Sequence, residues 1–252
     1  MPKVSVLLPV YNGESYLEKS IQSVLSQSFK DMEIFILNDG SIDSSLEIAN
    51  KFLSIDKRIK IINFRKNIGL AGVLNEGVRQ SSGLFLARID SDDEWFDADK
   101  IIKQVEFLEN NSEYGLVGCK SLLIDKEGGT IGKIGYHEND KEIRKNILIK
   151  NQFLHSGVMI KKEAVIKCGM YKENEKYIED YGLWLRIGRF YKFKNLHFYG
   201  LKYRVNPQGE TATKNRQQVV NSFKLIIEFR KQYPNFFKAR IKWILRYAVT
   251  FI

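Results

Sequence analysis

The stretch that decides the fold is Ala87-Arg88-Ile89-Asp90-Ser91-Asp92-Asp93-Glu94-Trp95, where three aspartates follow an apolar segment. Residues 82–87 are predicted to form a buried strand of a parallel sheet, opened by a turn of small residues. Carboxylates crowded at the end of such a strand raise one another's pKa and need a compensating cation. Mg²⁺ or Mn²⁺, shared with diphosphate oxygens and water, fits these ligands. The alternative is a solvated acidic loop or a helix N-cap.

Upstream of this stretch, short apolar runs alternate with segments of helical spacing. The runs at 4–8, 33–37, 59–62 and 84–87 are predicted strands, and helices are predicted between them. This βαβαβαβ order predicts an α/β fold with a mostly parallel, Rossmann-like sheet and helices on both faces. Ligands bind such sheets beyond the carboxyl ends of the strands.

Polar side chains follow all four predicted strands. Asn12, Asp39 and Asn67 come after the first three, and residues 90–93 come after the fourth. Turns favour Asn and Asp for backbone reasons, so one such loop carries little information. Four of them at one edge of a sheet predict a binding site.

Length and composition allow either one large domain or one domain with an extension. The 252 residues contain no stretch of about 20 apolar residues that could span a bilayer. Residues 1–9 have too short an apolar run for a secretory signal, so we expect a cytoplasmic protein. Cys119 and Cys168 have no metal-binding or redox spacing and are expected to be buried free thiols.

The loop after the first strand lacks two familiar phosphate-binding motifs. A dinucleotide-binding fold would carry Gly-x-Gly-x-x-Gly there, but residues 9–15 contain only Gly13, and the chain has no Walker loop. An aspartyl-phosphatase would carry its Asp-x-Asp after the first strand rather than the fourth. We therefore expect the metal to neutralise most of the charge of a bound phosphate.

Four motifs carry a resemblance to a known family: Pro9-Val10-Tyr11-Asn12, Asn38-Asp39-Gly40-Ser41, Asn67-Ile68-Gly69-Leu70 and Asp90-Ser91-Asp92-Asp93. In this order they resemble the family 2 glycosyltransferases of the GT-A fold. The resemblance implies a GT-A catalytic domain over 1–205, with a nucleotide-sugar-binding half (1–98) and an acceptor-binding half (99–205). A basic helical C-terminal extension would occupy 206–252.

The resemblance also implies roles at the donor site. Asp39 would contact the uracil or thymine ring of a UDP- or dTDP-sugar, and Asp90 would reach the ribose. Asp92 would supply the carboxylate for Mn²⁺ or Mg²⁺, with Asp93 as its competitor. Four further residues would shape the nucleotide pocket: Pro9, Tyr11, Asn12 and Asn67. Alternatively, Tyr11 packs in the core and Asn67 caps a helix.

The pair Glu179-Asp180, followed by an aromatic helix, resembles the family's catalytic motif. By this resemblance Asp180 is the general base that takes the proton from the acceptor hydroxyl. One carboxylate opposite the leaving diphosphate suffices for inversion, whereas a retaining double displacement also needs a nucleophile. The alternative is that both acids only stabilise the N-terminus of the helix by interacting with its dipole. Glu179 would serve only in that way, or it would contact the substrate.

Two further residues are candidate substrate contacts. His155 resembles a histidine that the family often has before this strand, and the alternative is a satisfied core histidine. Many relatives carry Tyr-Arg followed by a histidine-containing loop, whereas this chain has Tyr203-Arg204-Val205-Asn206-Pro207. Without that histidine Arg204 becomes a candidate phosphate contact, with a strand-end salt bridge as the alternative.

The end of the chain accounts for the whole net charge of +10, because residues 192–252 sum to +11 and residues 1–191 to −1. No nucleic-acid recognition module accompanies its basic residues, so no nucleic-acid partner is expected. Residues 217–230 predict a helix, and a basic amphipathic helix that suits an anionic membrane surface follows Pro234. The alternative is that its apolar face packs on the catalytic domain or on a second subunit, as in a homodimer. The apolar residues of that face are Phe237, Ile241, Ile244, Leu245, Ala248 and Ile252.

The resemblance therefore implies an inverting, hexosyltransferase-type enzyme with a nucleotide-diphosphate sugar donor and a saccharide or lipid-linked saccharide acceptor. Its product would be a bacterial surface polysaccharide or glycolipid, and it would work at the inner face of the cytoplasmic membrane. Two alternatives remain. A sugar nucleotidyltransferase shares the sheet and the metal but needs a glycine-rich, basic first loop, and a non-catalytic carbohydrate-binding module would have no need for the acids.

Overall fold

Parallel strands form the first half of the sheet. The computed structural model describes residues 1–206 and 213–250. Strands β1 (Val4–Val10), β2 (Met32–Asn38), β3 (Ile59–Asn63) and β4 (Phe85–Arg88) lie in the order β3-β2-β1-β4 and are all parallel. The connecting helices are α1 (Leu17–Leu25), α2 (Ser45–Ile55) and α3 (Leu70–Gln80). All four strands begin at the predicted first residue or next to it.

Helices cover both faces of these strands, as predicted. Successive residues of a strand point to opposite faces. Leu7 therefore packs with Leu74 of α3 in one core cluster. Its neighbour Val6 packs with Ile21 of α1 in the other. Both β1 and β2 are buried along their whole length, which explains why their sequences are continuously apolar instead of alternating.

The second half of the sheet is mixed. The sheet continues from β4 through β8 (Met159–Lys161), β6 (Tyr114–Ile124), β9 (Lys192–Arg204) and β5 (Glu94–Trp95), in that order, and β7 (Thr130–Ile134) pairs with β6. Strand β8 is antiparallel to β4 and β6, so the parallel character belongs to the first half. The predicted hairpin at 122–132 is confirmed as β6–β7. The helices of this half are α4 (Lys100–Asn110), α5 (Asp140–Asn146), α6 (Lys162–Lys167) and α7 (Glu179–Ile187).

Among residues 213–250, two helices follow the sheet, α8 (Asn215–Glu228) and α9 (Phe236–Val249). Helix α9 packs on the domain through Ala239 and Trp243, and the Trp243 indole N–H donates a 2.9 Å hydrogen bond to the Leu148 carbonyl oxygen. None of the helices in the described ranges has both the length and the hydropathy needed to cross a membrane. Pro207 and Ile252, which entered the sequence predictions, lie outside the described residues.

The apolar face of α9 points away from the domain. Phe237 is 76% exposed, and Ile241 and Leu245 are each 62% exposed. The alternative that this face packs on the catalytic domain is therefore wrong. The helix instead buries Ala239 and Trp243, which lie one turn apart on its other side.

Candidate functional site

A cavity of about 1020 Å³ opens at the carboxyl ends of β1, β2 and β4. The structure brings nearly all predicted site residues to its wall. Asp93 is the exception, because it is buried behind the wall and is only 1% exposed. The predicted residues that line the cavity are Pro9, Tyr11, Asn12, Asp39, Asn67, Asp90, Asp92, His155, Glu179, Asp180 and Arg204.

Asp39 joins the end of β2 to the start of α3. Its two carboxylate oxygens accept hydrogen bonds from the backbone N–H groups of Ile68 (2.6 Å) and Gly69 (3.0 Å). Burial raises the pKa of Asp39, and these two bonds oppose the rise. Gly40, with φ of +71°, lies so close to the Lys66 backbone that a Cβ would come within 2.6 Å of it. Each oxygen of Asp39 retains a lone pair for a ligand.

Asn12 connects the loops that follow β1 and β2. Its side-chain oxygen accepts a 2.9 Å hydrogen bond from the backbone N–H of Ile42, and its own backbone is left-handed, with φ of +50°. Tyr11 is 52% exposed at the cavity, so it does not pack in the core. Asn67 is exposed and does not cap α3, which has no side-chain cap.

A buried arginine neutralises part of the acidic stretch. Arg88, at the end of β4 and 2% exposed, forms an ion pair with Asp90. The Ser156 hydroxyl donates a 2.8 Å hydrogen bond to Asp90 Oδ2 and accepts one of 3.0 Å from the Asp90 backbone N–H. Neither Arg88 nor Ser156 was among the predicted site residues. The available signal was a basic residue at the last position of a buried strand, directly before the acids.

Asp92 and Asp93 point in different directions. Asp92 lies on the cavity wall, where burial and the neighbouring Asp90 charge raise its pKa to about 6. Asp93 turns inward, and its Oδ1 accepts a 2.8 Å hydrogen bond from the Arg204 backbone N–H. Burial, together with the Asp92 charge, raises the pKa of Asp93. The carboxylate available to a cavity ligand is therefore that of Asp92.

The donor set at Asp92 fits a hard divalent ion. A cavity-facing carboxylate with an acidic neighbour supplies oxygen ligands and excess negative charge, which Mg²⁺ and Mn²⁺ prefer. Within residues 1–206 and 213–250, no three His, Cys, Asp or Glu side chains converge as a complete protein site. An ion at Asp92 would thus take its remaining ligands from substrate oxygens and water.

Arg204 is held by the protein. Its Nε and Nη1 groups donate to the carbonyl oxygens of Asp92, Asp125 and Lys126 over 2.8–3.1 Å, and its Nη2 donates to Glu94 at 2.7 Å. The guanidinium therefore ties the end of β9 to the acidic loop. This is the strand-end ion pair considered above, and the structure does not support the predicted phosphate contact.

Asp180 lies in the first turn of α7 and lines the same cavity as the ends of the parallel strands. Its Oδ2 accepts a 2.9 Å hydrogen bond from the Asn151 amide, and burial raises its pKa. His155 lies within 3.0 Å of the Tyr171 hydroxyl, and burial together with the Arg88 charge lowers the pKa of its imidazole. His155 is therefore neutral near pH 7. Asn151 carried no sequence signal, because the loop that contains it shows no pattern.

The chain matches a known family profile. The profile described as "Glycosyl transferase family 2" matches residues 5–172. This chain belongs to glycosyltransferase family 2. It is 31% identical over 250 residues to an uncharacterised glycosyltransferase of Haemophilus influenzae, covering 93% of this chain and 75% of the relative. It is 32% identical over 187 residues to the amylovoran biosynthesis glycosyltransferase AmsE of Erwinia amylovora, covering 73% and 68%.

Solved structures confirm the expected GT-A fold of this glycosyltransferase. The mannosyltransferase PcManGT of Pyrobaculum calidifontis, in complex with GDP-Man and Mn²⁺, superposes with a TM-score of 0.73 at 15% identity, over 96% of this chain and 68% of that one. Residues 1–349 of S. aureus TarS, in complex with UDP-GlcNAc, superpose with a TM-score of 0.75 at 18% identity, over 97% and 72%. At these identities the likeness concerns the fold alone.

Proposed function

We propose that this glycosyltransferase is a metal-dependent, inverting enzyme that uses a UDP- or dTDP-sugar and builds a bacterial surface polysaccharide or glycolipid. The observation that carries the proposal is that Asp39, Asp92 and Asp180 line one cavity. One relative and one structural neighbour support it, because AmsE is an amylovoran biosynthesis glycosyltransferase and the TarS structure contains UDP-GlcNAc. Residues 1–98 would form the donor half, 99–205 the acceptor half and 206–252 the extension.

On the donor side, Asp39 would accept a hydrogen bond from the N–H of the pyrimidine base. Asp90, held by Arg88 and Ser156, would receive the ribose hydroxyls. Tyr11 and the loops that Asn12 connects would enclose the base. The remaining predicted contributors to this pocket are Pro9 and Asn67.

In the transfer step, Asp92 would hold Mn²⁺ or Mg²⁺, and the complex of PcManGT with Mn²⁺ supports this role. When bound, the ion would offset the charge that develops on the leaving diphosphate. Asp180 would accept the proton of the acceptor hydroxyl, with Asn151 holding the carboxylate in place. Neutral His155 and Glu179 line the same wall and would contact the sugars.

The acceptor is proposed to be a saccharide or lipid-linked saccharide reached at an anionic membrane. The exposed apolar face of α9 is flanked on the same helix by the exposed basic residues Lys238 and Arg240. Such a helix can lie in the headgroup region of a bilayer, where each basic residue contributes about 1 kcal/mol. A second copy of this chain seated on the same face, as in a homodimer, is the outcome that would contradict this.

A donor screen tests the proposed reaction. Purified protein with Mn²⁺ is incubated with UDP-, dTDP- and GDP-sugars, and slow donor hydrolysis is followed by release of the nucleoside diphosphate. We expect release from a UDP- or dTDP-sugar and inverted configuration of the freed sugar at first formation. Pyrophosphate release from UTP and a sugar 1-phosphate would favour a nucleotidyltransferase, and inertness towards every nucleotide would favour the non-catalytic module.

A further inference from the structure

Helix α9 turns basic side chains towards the cavity and apolar side chains away from it. Lys242 and Arg246, one helical turn apart, line the cavity together with Trp243. Lys150, from the loop before Asn151, lies on the same wall. The extension therefore contributes to the site itself and not only to the outside of the protein.

These three cations repel one another. Burial lowers the pKa of Lys242, and the like charges of Lys150 and Arg246 lower it further. The Arg246 guanidinium donates a 3.2 Å hydrogen bond to the side-chain oxygen of Asn215, a neutral group. Within residues 1–206 and 213–250, no carboxylate lies within ion-pair distance of the three. A bound anion would relieve this repulsion.

The cluster lies on the Asp180 side of the cavity. The loop at 148–151 carries Lys150 and also Asn151, which holds Asp180 at 2.9 Å. The same loop receives the Trp243 indole hydrogen bond at Leu148, which positions α9 beside it. The donor residues Asp39 and Asp92 come from the other half of the chain. An anion at the cluster would therefore belong to the molecule that Asp180 deprotonates, the acceptor.

We propose that Lys150, Lys242 and Arg246 bind a phosphoryl group of the acceptor, so that the acceptor is a saccharide carried on an alkyl phosphate. This inference rests on the proposed glycosyl transfer. Phosphate oxygens make charge-assisted hydrogen bonds to both ammonium and guanidinium groups. The apolar residues Ile241 and Leu245, on the outer face of the same helix, would place the cluster at the level of lipid headgroups.

The test compares octyl phosphate with the uncharged octyl glucoside, each titrated calorimetrically below micelle formation into protein saturated with UDP and Mn²⁺. The test variant is Lys242→Gln with Arg246→Gln. The matched control is Lys224→Gln with Arg230→Gln, which removes the same charge from exposed positions of the extension outside the cavity wall. UDP affinity is measured separately for each protein.

We expect octyl phosphate to bind more tightly than octyl glucoside and to lose about tenfold or more in affinity in the test variant alone. UDP affinity should stay the same in all three proteins, which shows that the fold and the donor site are intact. Equal octyl phosphate affinity in both variants, or equal binding of the two octyl compounds, would overturn the acceptor assignment. Failure of the unaltered protein to bind either UDP or dTDP would contradict the proposed function instead, because the octyl titrations repeated without nucleotide still report on the cluster.

Discussion

The side-chain amide of Asn151 donates a 2.9 Å hydrogen bond to Oδ2 of Asp180. The bond links the loop at 148–151 to the first turn of α7, and it stabilises the charged form of a carboxylate whose pKa burial raises. Asn151 thus acts as a positioning residue for the proposed base.

Replacing Asn151 by Leu should change the pH dependence of donor hydrolysis. The lost hydrogen bond favoured the carboxylate, so the pKa of Asp180 should rise further and the acid limb of the rate should move to higher pH. UDP affinity should be unchanged. An acid limb that stays in place or moves to lower pH would contradict the role of this bond. The variant Asp180→Asn should have no turnover but should still bind UDP.

Arg88 should be important for stability. Arg88→Met leaves Asp90 without its buried cation and should lower the free energy of unfolding by about 3 kcal/mol. Arg88→Lys keeps the charge and should lose less. Urea unfolding measures both variants. In the control Arg79→Met, which removes an exposed ion pair with Glu76, the loss should be at most about 1 kcal/mol. A similar small loss in Arg88→Met would refute this prediction.

Glu33 should make stability depend on acid pH. Burial alone would raise its pKa, but hydrogen bonds from Lys60, Ser5 and Ser82 outweigh burial and lower the pKa to about 2. Because the folded pKa lies below the unfolded one, near 4.5, this stabilisation is present above about pH 4.5 and disappears as the pH falls towards 2. Glu33→Gln should lose about 2 to 3 kcal/mol at pH 7.

The measurement for Glu33 is urea unfolding between pH 7 and pH 2. The difference between the unaltered protein and Glu33→Gln should shrink as the pH falls. The control is Glu109→Gln, which breaks a half-exposed ion pair with Lys3 at 2.9 Å and should change stability by at most about 1 kcal/mol at any pH. A difference that is independent of pH would show that the loss comes from packing and not from the charge.

The first half of the fold and most of the site could be predicted from the sequence. Continuous apolar runs locate buried parallel strands, and polar residues after each run must then meet at one edge of the sheet. Asp39 and Asp92 therefore reach the same cavity by topology alone. Asp180 was assigned by resemblance only, because no periodicity links α7 to that edge.

Three features depend on tertiary contacts that no local pattern encodes. The Arg204 side chain points back at the acidic loop because β9 pairs with β5, which contains Glu94. Asn151 lies in a loop without periodicity. The amphipathic pattern of α9 shows that two faces differ, but it does not show which face packs on the domain. Trp243 decides this, because its indole N–H bonds to a carbonyl of that domain.

The outer face of α9 should bind anionic vesicles. Ile241→Glu with Leu245→Glu replaces exposed apolar side chains by charges and should weaken binding to phosphatidylglycerol vesicles by about tenfold or more in a sedimentation assay. Ile166→Glu, exposed on α6, is the control. Unchanged vesicle binding, combined with conversion of a dimer to a monomer in size-exclusion chromatography, would identify the face as a subunit interface.

The most direct test is calorimetry of UDP with and without Mn²⁺, on the unaltered protein, on Asp92→Asn and on the control Asp99→Asn, an exposed acid outside the cavity wall. We expect Mn²⁺ to tighten UDP binding by about tenfold or more in the unaltered protein and in the control. Asp92→Asn should abolish that gain. A UDP affinity that does not change with Mn²⁺ in the unaltered protein, or an undiminished gain in affinity in Asp92→Asn, would contradict a metal-dependent donor site at Asp92.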